Sequence, residues 1–96
     1  MRVVFTRLAT IDLEEIGDYI ARDNPRRALT FINELRARCI KIAQAPLTCV
    51  ARPELADNLR CCVHGSYVIF FVIKGNQVQI ARVLHGARDL VQIFGE

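Results

Sequence analysis

An apolar run from Tyr67 to Ile73, bracketed by two glycine-containing dipeptides, is the feature that most constrains the fold of this chain. Gly65-Ser66 before the run and Gly75-Asn76 after it are typical two-residue hairpin turns. From Leu59 onward the hydrophobic period is 2 rather than 3.6, which is the repeat of a β-strand. The pattern therefore predicts an antiparallel meander of three strands over residues 59–64, 67–74 and 77–84.

The first half of the chain has the pattern of a short strand followed by two amphipathic helices. The strand is predicted over Arg2–Phe5, and Thr6 is suited to cap the helix that follows it. Asn24-Pro25 suits the cap and first position of a second helix, which must end before Pro46. These elements predict one α+β domain over residues 1–96: an N-terminal strand, an αα-hairpin, a three-stranded antiparallel meander and a short C-terminal segment.

The first helix carries apolar residues at helical spacing, which predicts one buried stripe. Its acidic residues fall largely outside that stripe, early in the helix where negative charge suits the helix dipole. They are Asp12, Glu14, Glu15 and Asp18.

The middle strand of the meander is apolar on both faces. One face of a small sheet packed on helices would ordinarily meet water, so something must cover the second face. The C-terminal segment Leu90–Phe94 and a partner chain are both suited to do so, and the sequence does not choose between them. The 52% hydrophobic content fits either a dense core or a surface that a partner covers.

Arginine supplies eleven of the thirteen cations, with only Lys41 and Lys74 as lysines. Because arginine forms planar, bidentate contacts with carboxylate or phosphate, this bias favours anionic partners. The net charge of +3 is too small to predict a nucleic-acid-binding protein by itself.

The four cysteines are Cys39, Cys49, Cys61 and Cys62, and none forms a Cys-x-x-Cys pair. The sequence carries no signal-peptide pattern and no transmembrane run. We therefore expect free thiols in a reducing cytoplasm rather than a zinc site or a structural disulfide. The adjacent Cys61 and Cys62 should point to opposite faces of their strand.

Polar side chains collect where the last strand ends, in the segment Ile80–Asp89. Arg82, His85 and Arg88 are predicted to meet on one rim, where arginines bind carboxylates or phosphates. A histidine there can also move a proton near neutral pH.

Strand alternation does not place Arg82. Either its side chain leaves the core at the strand end, or a β-bulge shifts the phase of the strand. A structural pairing of Arg82 with Asp89 or with another carboxylate is the alternative to a binding role.

Arg60 is the fourth candidate for the same rim. Alternation puts Leu59, Cys61 and Val63 on one face of their strand, and Arg60, Cys62 and His64 on the other. If the first set faces the helices, Arg60 points outward.

Three segments of the chain resemble the RelE/ParE superfamily of toxins, in particular its ParE-like branch. They are Asp12–Ala21, Tyr67–Val72 and Ile80–Asp89, and the likeness runs nearly end to end. Members are toxins of type II toxin-antitoxin systems. They have an N-terminal strand, a helical hairpin and an antiparallel sheet, which is the order predicted above.

The resemblance implies a ParD-like antitoxin that wraps the toxin with apolar and often acidic side chains. The implied contact residues are Arg60, Tyr67, Ile69, Phe71, Arg82, His85 and Arg88. The resemblance implies no cofactor, no metal and no membrane. It also implies a toxin-antitoxin hetero-oligomer that meets DNA only through the antitoxin or the toxin's target.

The superfamily divides by activity. ParE-like members block DNA gyrase, whereas RelE-like members cut messenger RNA in the ribosomal A site, often with a C-terminal tyrosine or histidine. The tail Leu90–Glu96 contains no Tyr, Lys or Arg, which favours the gyrase inhibitor. The alternatives are a ribosome-dependent endoribonuclease, with Arg60, Arg82 and His85 as its catalytic residues, and an inactive relative that only takes part in regulation with the antitoxin.

Overall fold

The computed structural model describes residues 1–86 and 90–94, in which two helices pack on one face of a β-sheet. The helices of the hairpin are α1, Arg7–Ala21, and α2, Pro25–Gln44. The strands are β1 Arg2–Phe5, β2 Val50–Ala51, β3 Arg60–His64, β4 Tyr67–Lys74 and β5 Gln77–His85. A 3-10 helix covers Pro46–Thr48, and a short helix α3 covers Leu90–Phe94. The predicted α+β class is confirmed.

Both helices of the hairpin begin at the predicted caps. The hydroxyl of Thr6 accepts a hydrogen bond from the Ala9 N–H at 3.1 Å, and the Asn24 side chain accepts one from the Arg27 N–H at 3.0 Å. Each cap satisfies a backbone donor that the first helical turn leaves unpaired. In the described part of the chain, no helix is long and apolar enough to cross a membrane.

Within the described residues the sheet has five strands, in the order β1-β5-β4-β3-β2. Its centre is the predicted antiparallel meander, with turns at Gly65 and Gly75 whose φ of +60° is a conformation that glycine adopts freely. β1 extends the sheet by pairing in parallel with β5, and β2 pairs antiparallel with β3 at the other edge. The sequence does not predict β2, because a strand of two residues is too short to show a period.

The two faces of β4 have different covers. On the helix side, Ile69 and Phe71 are completely buried in the main core. On the other side, Phe70 packs with Leu55 from the connector, residues 45–58, and its ring centroid lies 4.8 Å from that of Phe94 in α3. Of the two covers that the sequence allows, the chain's own C-terminal segment is the one observed.

The structure joins Cys49 and Cys62 by a disulfide, so the prediction of four free thiols is wrong. The two residues approach because β2, which begins directly after Cys49, pairs with β3. The spacing of the cysteines in the sequence does not reveal this long-range contact. Cys39 and Cys61 are free and buried. Cys61 packs beside Phe70 while Cys62 packs against the main core, which confirms that they lie on opposite faces of β3.

Candidate partner-binding site

The edge of β5 is uncovered where β1 ends. β1 pairs with β5 as far as Phe5 and Ile80, and the chain then turns into α1. The Thr6 N–H donates to the Ile80 carbonyl at 3.1 Å, and the Thr6 hydroxyl donates to the Ala81 carbonyl at 3.0 Å. Thr6 thus fixes the start of α1 against β5, and side chains of α1 reach the edge that β1 leaves open.

Asp12 is the α1 side chain that fills this edge. Its carboxylate accepts hydrogen bonds from the Val83 N–H at 3.0 Å and from Nε and Nη2 of Arg82 at 2.8 and 2.9 Å. The first bond takes the place of a strand-to-strand bond, and the other two form a bidentate ion pair. The hydrogen bonds from Arg82 to Asp12 are the main cause that raises the pKa of this arginine.

The prediction that Asp12 lies outside the buried part of α1 is therefore wrong, since the residue is only 5% exposed. Hydropathy periodicity treats every carboxylate as a solvent-facing group. A carboxylate that receives three donors can be buried at little cost, because each lost contact with water is replaced.

A β-bulge settles the position of Arg82. Arg82 pairs with Phe70 on β4. The next residue of β4, Phe71, pairs with Ile80, so Ala81 is the extra residue of β5. Of the two alternatives that alternation leaves open, the shift of phase is the one observed. The carboxylate that holds Arg82 is on α1, whereas Asp89 lies outside the described residues.

A cleft of about 500 Å³ lies between α1 and the adjacent ends of β4 and β5, and we call it the α1-β5 cleft. Its lining consists of Asp12, Glu15, Ile16, Tyr19, Ser66, Tyr67, Val83, Leu84 and His85. The structure thereby brings together Tyr67 and His85, two of the predicted contact residues. Within residues 1–86 and 90–94, no group of three His, Cys, Asp or Glu side chains is arranged to hold a metal ion.

Tyr67 connects this cleft to the core through ring contacts. Its ring centroid lies 5.5 Å from that of His85, edge to face, and 5.6 Å from that of Phe31. Burial raises the pKa of the Tyr67 phenol, and the neighbouring Tyr19 adds to this shift. The phenol is therefore protonated at neutral pH, and it can both donate and accept a hydrogen bond from a partner.

Arg60 lies elsewhere on the sheet. It pairs with Phe71 on β4, whereas His85 pairs with Tyr67. Tyr67 and Phe71 lie about 13 Å apart along β4, at ~3.3 Å per residue. The Arg60 guanidinium donates to the Cys49 carbonyl at 2.8 Å and lines a separate cleft of about 330 Å³. The structure does not bring Arg60 onto a common rim with the other predicted residues.

The set of Leu59, Cys61 and Val63 does not face the helices, so the condition under which Arg60 would point outward is not met. Cys61 packs on the face away from the helices, and Cys62 packs on the helix face. His64 shares that helix face, and its Nε2 lies 3.7 Å from Oε1 of Glu34 in α2. Arg60 belongs to the same set, which explains why its side chain turns back to the connector.

Three predicted contact residues remain. Ile69 and Phe71 are 0% exposed, and they lie between the sheet and the helices. They are core residues rather than contact residues, because no surface is left for a partner to touch. Arg88 lies outside the described residues.

A second concave surface, the hairpin groove, lies between α1 and α2 and has a volume of about 540 Å³. Its apolar lining includes Leu13, Leu29 and Ile32, with Asp18 on α1 and Arg36 on α2. Leu29 is 71% exposed. An apolar groove flanked by charges of both signs suits an amphipathic peptide segment.

Residues 3–90 of the chain match the family model of the ParE toxin of the type II toxin-antitoxin system parDE. The chain belongs to the ParE toxin family. The predicted superfamily and branch are thereby confirmed, and the chain is a toxin of a type II toxin-antitoxin system.

Solved structures agree with this ParE assignment. The chain is similar to one from the chromosomal ParDE toxin-antitoxin system of P. aeruginosa, with 25% identity over 88% of this chain and 95% of that chain and a TM-score of 0.74. It is also similar to a chain of the RelBE2 toxin-antitoxin complex of Mycobacterium tuberculosis, with 25% identity over the same shares and a TM-score of 0.65. No curated protein sequence matches this chain.

Three α1 residues with polar side chains line the cleft of this ParE toxin although the sequence pattern did not mark them as site residues: Asp12, Glu15 and Tyr19. Their spacing of three and four places them on one face of a helix, which is a signal that the sequence contains. What the sequence does not contain is the partner of that face. Only the contact between α1 and β5 in the structure shows that this face of α1 meets the end of the last strand.

Proposed function

We propose that this ParE-family toxin inhibits DNA gyrase and is neutralised by a ParD-like antitoxin in a toxin-antitoxin hetero-oligomer. Two structural relatives come from toxin-antitoxin assemblies. Among the concave surfaces of the described residues, the hairpin groove and the α1-β5 cleft are the two that we consider for a partner. Contact with DNA arises only through the antitoxin or gyrase.

The hairpin groove is the surface that we assign to the antitoxin. Leu29 presents most of its side chain to water at the groove, and covering it with an apolar side chain is favourable by about 1.5–3 kcal/mol. Arg36 at the groove offers a bidentate contact to an acidic residue of the antitoxin. An amphipathic antitoxin segment with apolar and acidic side chains fits both features.

Antitoxin should raise the melting temperature of the toxin, because a ligand that binds only the folded state stabilises it. Leu29→Glu should weaken antitoxin binding roughly tenfold to a hundredfold, since it removes apolar burial and adds a charge. Ile40→Glu is the matched control, because Ile40 is an exposed apolar residue of the same helix that does not line the groove. The measurements are co-purification, thermal unfolding and titration calorimetry. Equal losses in the two variants would contradict the assignment of the groove.

The choice of gyrase over messenger RNA is supported chiefly by the bidentate pair of Arg82 with Asp12. A ribonuclease needs cations that converge on the scissile phosphate, and the Arg82 guanidinium is already neutralised by a buried carboxylate. Arg60 donates to the Cys49 carbonyl in another cleft. Two of the three nuclease candidates thus have structural roles, while His85 lies on the α1-β5 cleft.

Purified toxin should reduce supercoiling by DNA gyrase, or trap cleaved DNA, while messenger RNA on programmed ribosomes stays intact. His85→Ala should leave RNA unaffected and change gyrase inhibition only as far as it disturbs the strand end. If His85 were a general acid or base of an endoribonuclease, its loss would cost about 10² to 10⁴ in rate. Ribosome-dependent cleavage that disappears in His85→Ala, with gyrase unaffected, would establish the RelE-like activity instead. Absence of both activities would favour a regulatory relative.

A further inference from the structure

We propose that Cys49 and Cys62 form a reversible redox site, in which Cys62 is the attacking thiol and Cys49 the resolving thiol. Their Cα atoms lie 5.6 Å apart, which lets the sulfur atoms bond without movement of the backbone. The pair lies at the β2 edge of the sheet, away from the α1-β5 cleft and the hairpin groove. This site is independent of the target that the toxin inhibits.

The surroundings of Cys62 favour its role as the attacking thiol. Nη2 of Arg38, on α2, lies 3.4 Å from the Cys62 sulfur. In the reduced protein this guanidinium stabilises the thiolate, which is the nucleophilic form of cysteine. Cys62 is also partly exposed, whereas Cys49 is 5% exposed. A small disulfide from solution therefore reaches Cys62 first.

The other two cysteines are expected to stay reduced because both are buried. Cys39 is buried, and burial raises the pKa of its thiol to about 11. Cys61 also has an arginine nearby, since Nη1 of Arg52 lies 3.8 Å from its sulfur, but it is buried on the opposite face of β3 and packs with Phe70, so its sulfur points away from Cys49. The fold thus separates one paired site from two buried thiols.

Glutathione disulfide is an oxidant of the chemical class that this site requires. The Cys62 thiolate attacks one sulfur of glutathione disulfide, whose S–S bond breaks and releases one glutathione thiolate. Cys49 then loses its proton, and its sulfur attacks Cys62 and displaces the second glutathione. The two protein thiols lose two electrons in total, and one glutathione disulfide becomes two glutathione thiols.

The oxidised pair fixes a weakly held edge of the sheet. β2 consists of Val50 and Ala51 and pairs with β3 through these two residues alone. Other ties nearby include the bond from Arg60 to the Cys49 carbonyl, the bond from the Arg52 N–H to the Leu59 carbonyl at 2.8 Å and the contact of Arg52 Nη1 with the Cys61 sulfur at 3.8 Å. Reduction should therefore loosen this edge while β4 stays protected.

The test is a redox titration of the full chain in buffers of reduced and oxidised glutathione, followed by acid quenching, alkylation and peptide mass spectrometry. We expect one reversible transition to the Cys49–Cys62 disulfide, with Cys39 and Cys61 alkylated only after unfolding. Reduction should lower Tm by roughly 5–15 °C, because a cross-link restricts the unfolded chain. It should also speed amide exchange in residues 46–51 at least tenfold, on the order expected for a local opening.

Single-cysteine variants test the order of attack. Cys49→Ser should trap a mixed disulfide of glutathione on Cys62, whereas Cys62→Ser should leave Cys49 largely unmodified. In the Cys49→Ser background, Arg38→Gln should slow the reaction of Cys62 by roughly three- to tenfold, because the thiolate loses its neighbouring cation. Arg26→Gln, an exposed arginine at the start of the same helix, should not.

Three results would overturn the proposal. They are reduced Cys49 and Cys62 in the most oxidising buffer, pairing of either residue with Cys39 or Cys61, and equal rates of modification at Cys49 and Cys62. Circular dichroism on each variant checks that the fold is retained. A chain that passes all three tests has this redox site whether or not it inhibits gyrase.

Discussion

An Ile69→Pro variant is expected not to fold. Ile69 lies in β4, between Cys62 of β3 and Val83 of β5, so both sides of its backbone belong to a ladder. Proline removes the backbone N–H from that ladder, and its ring has no room in a central strand. The substitution also replaces a side chain that is completely buried in the main core. Far-UV circular dichroism and urea titration should find no cooperative transition.

Two further variants separate the backbone effect from the side-chain effect. Ile69→Ala keeps the N–H and should fold, with a loss of about 2–5 kcal/mol in the free energy of unfolding. Arg2→Pro places the ring in the edge strand β1, where the Arg2 N–H donates to the Asn76 carbonyl at 3.2 Å. Loss of that bond should cost about 1 kcal/mol. A folded Ile69→Pro protein with a native unfolding transition would contradict the central position of β4.

The elements that the sequence predicts are those set by local signals. The caps at Thr6 and Asn24 act within one helical turn, and the turns at Gly65 and Gly75 act within four residues. The apolar, β-branched run between those two turns is equally local, so β4 is predicted with its observed bounds. A single sequence contains these signals because each depends only on residues that are close together along the chain.

The features that the sequence does not predict depend on contacts between distant residues. The parallel place of β1 beside β5 and the disulfide between Cys49 and Cys62 both require knowledge of which segments meet. The bulge at Ala81 is local in position, but its presence is evident only from the register with β4. Alternation alone therefore left open both the side of Arg82 and the question of which face of β3, with or without Arg60, meets the helices.

The candidate site shows the same division. Tyr67 and His85 belong to strand ends that the sequence defines, and the structure brings them together in the α1-β5 cleft. Ile69 and Phe71 belong to the same apolar strand, but the helices cover them completely. A pattern of apolar residues reports that a face is buried without reporting whether the chain itself or a partner buries it.

An Asp12→Ala variant is expected to lose about 3–5 kcal/mol of stability, which is a large share of the ~5–15 kcal/mol typical of a folded domain. The Asp12 side chain is 6% exposed and that of Arg82 is 20% exposed. Removing the carboxylate leaves the Arg82 guanidinium partly buried without its anion and the Val83 N–H without its acceptor. The measurement is urea unfolding of the variant and the parent chain.

A surface ion pair provides the control. Arg27 and Glu34 form a contact of 2.7 Å, and His64 lies 3.7 Å from the same carboxylate, but the Arg27 and Glu34 side chains are both 46% exposed, so Glu34→Ala should leave the melting temperature nearly unchanged. A double-mutant cycle then isolates the pair of Asp12 and Arg82. The variant with both residues changed to Ala should be more stable than the sum of the single losses predicts, by about 1–3 kcal/mol, because it buries no unpaired charge. Strictly additive losses would mean that Asp12 and Arg82 contribute separately. The Arg82 guanidinium would then be available to a partner, and the main structural support for gyrase over messenger RNA would be lost.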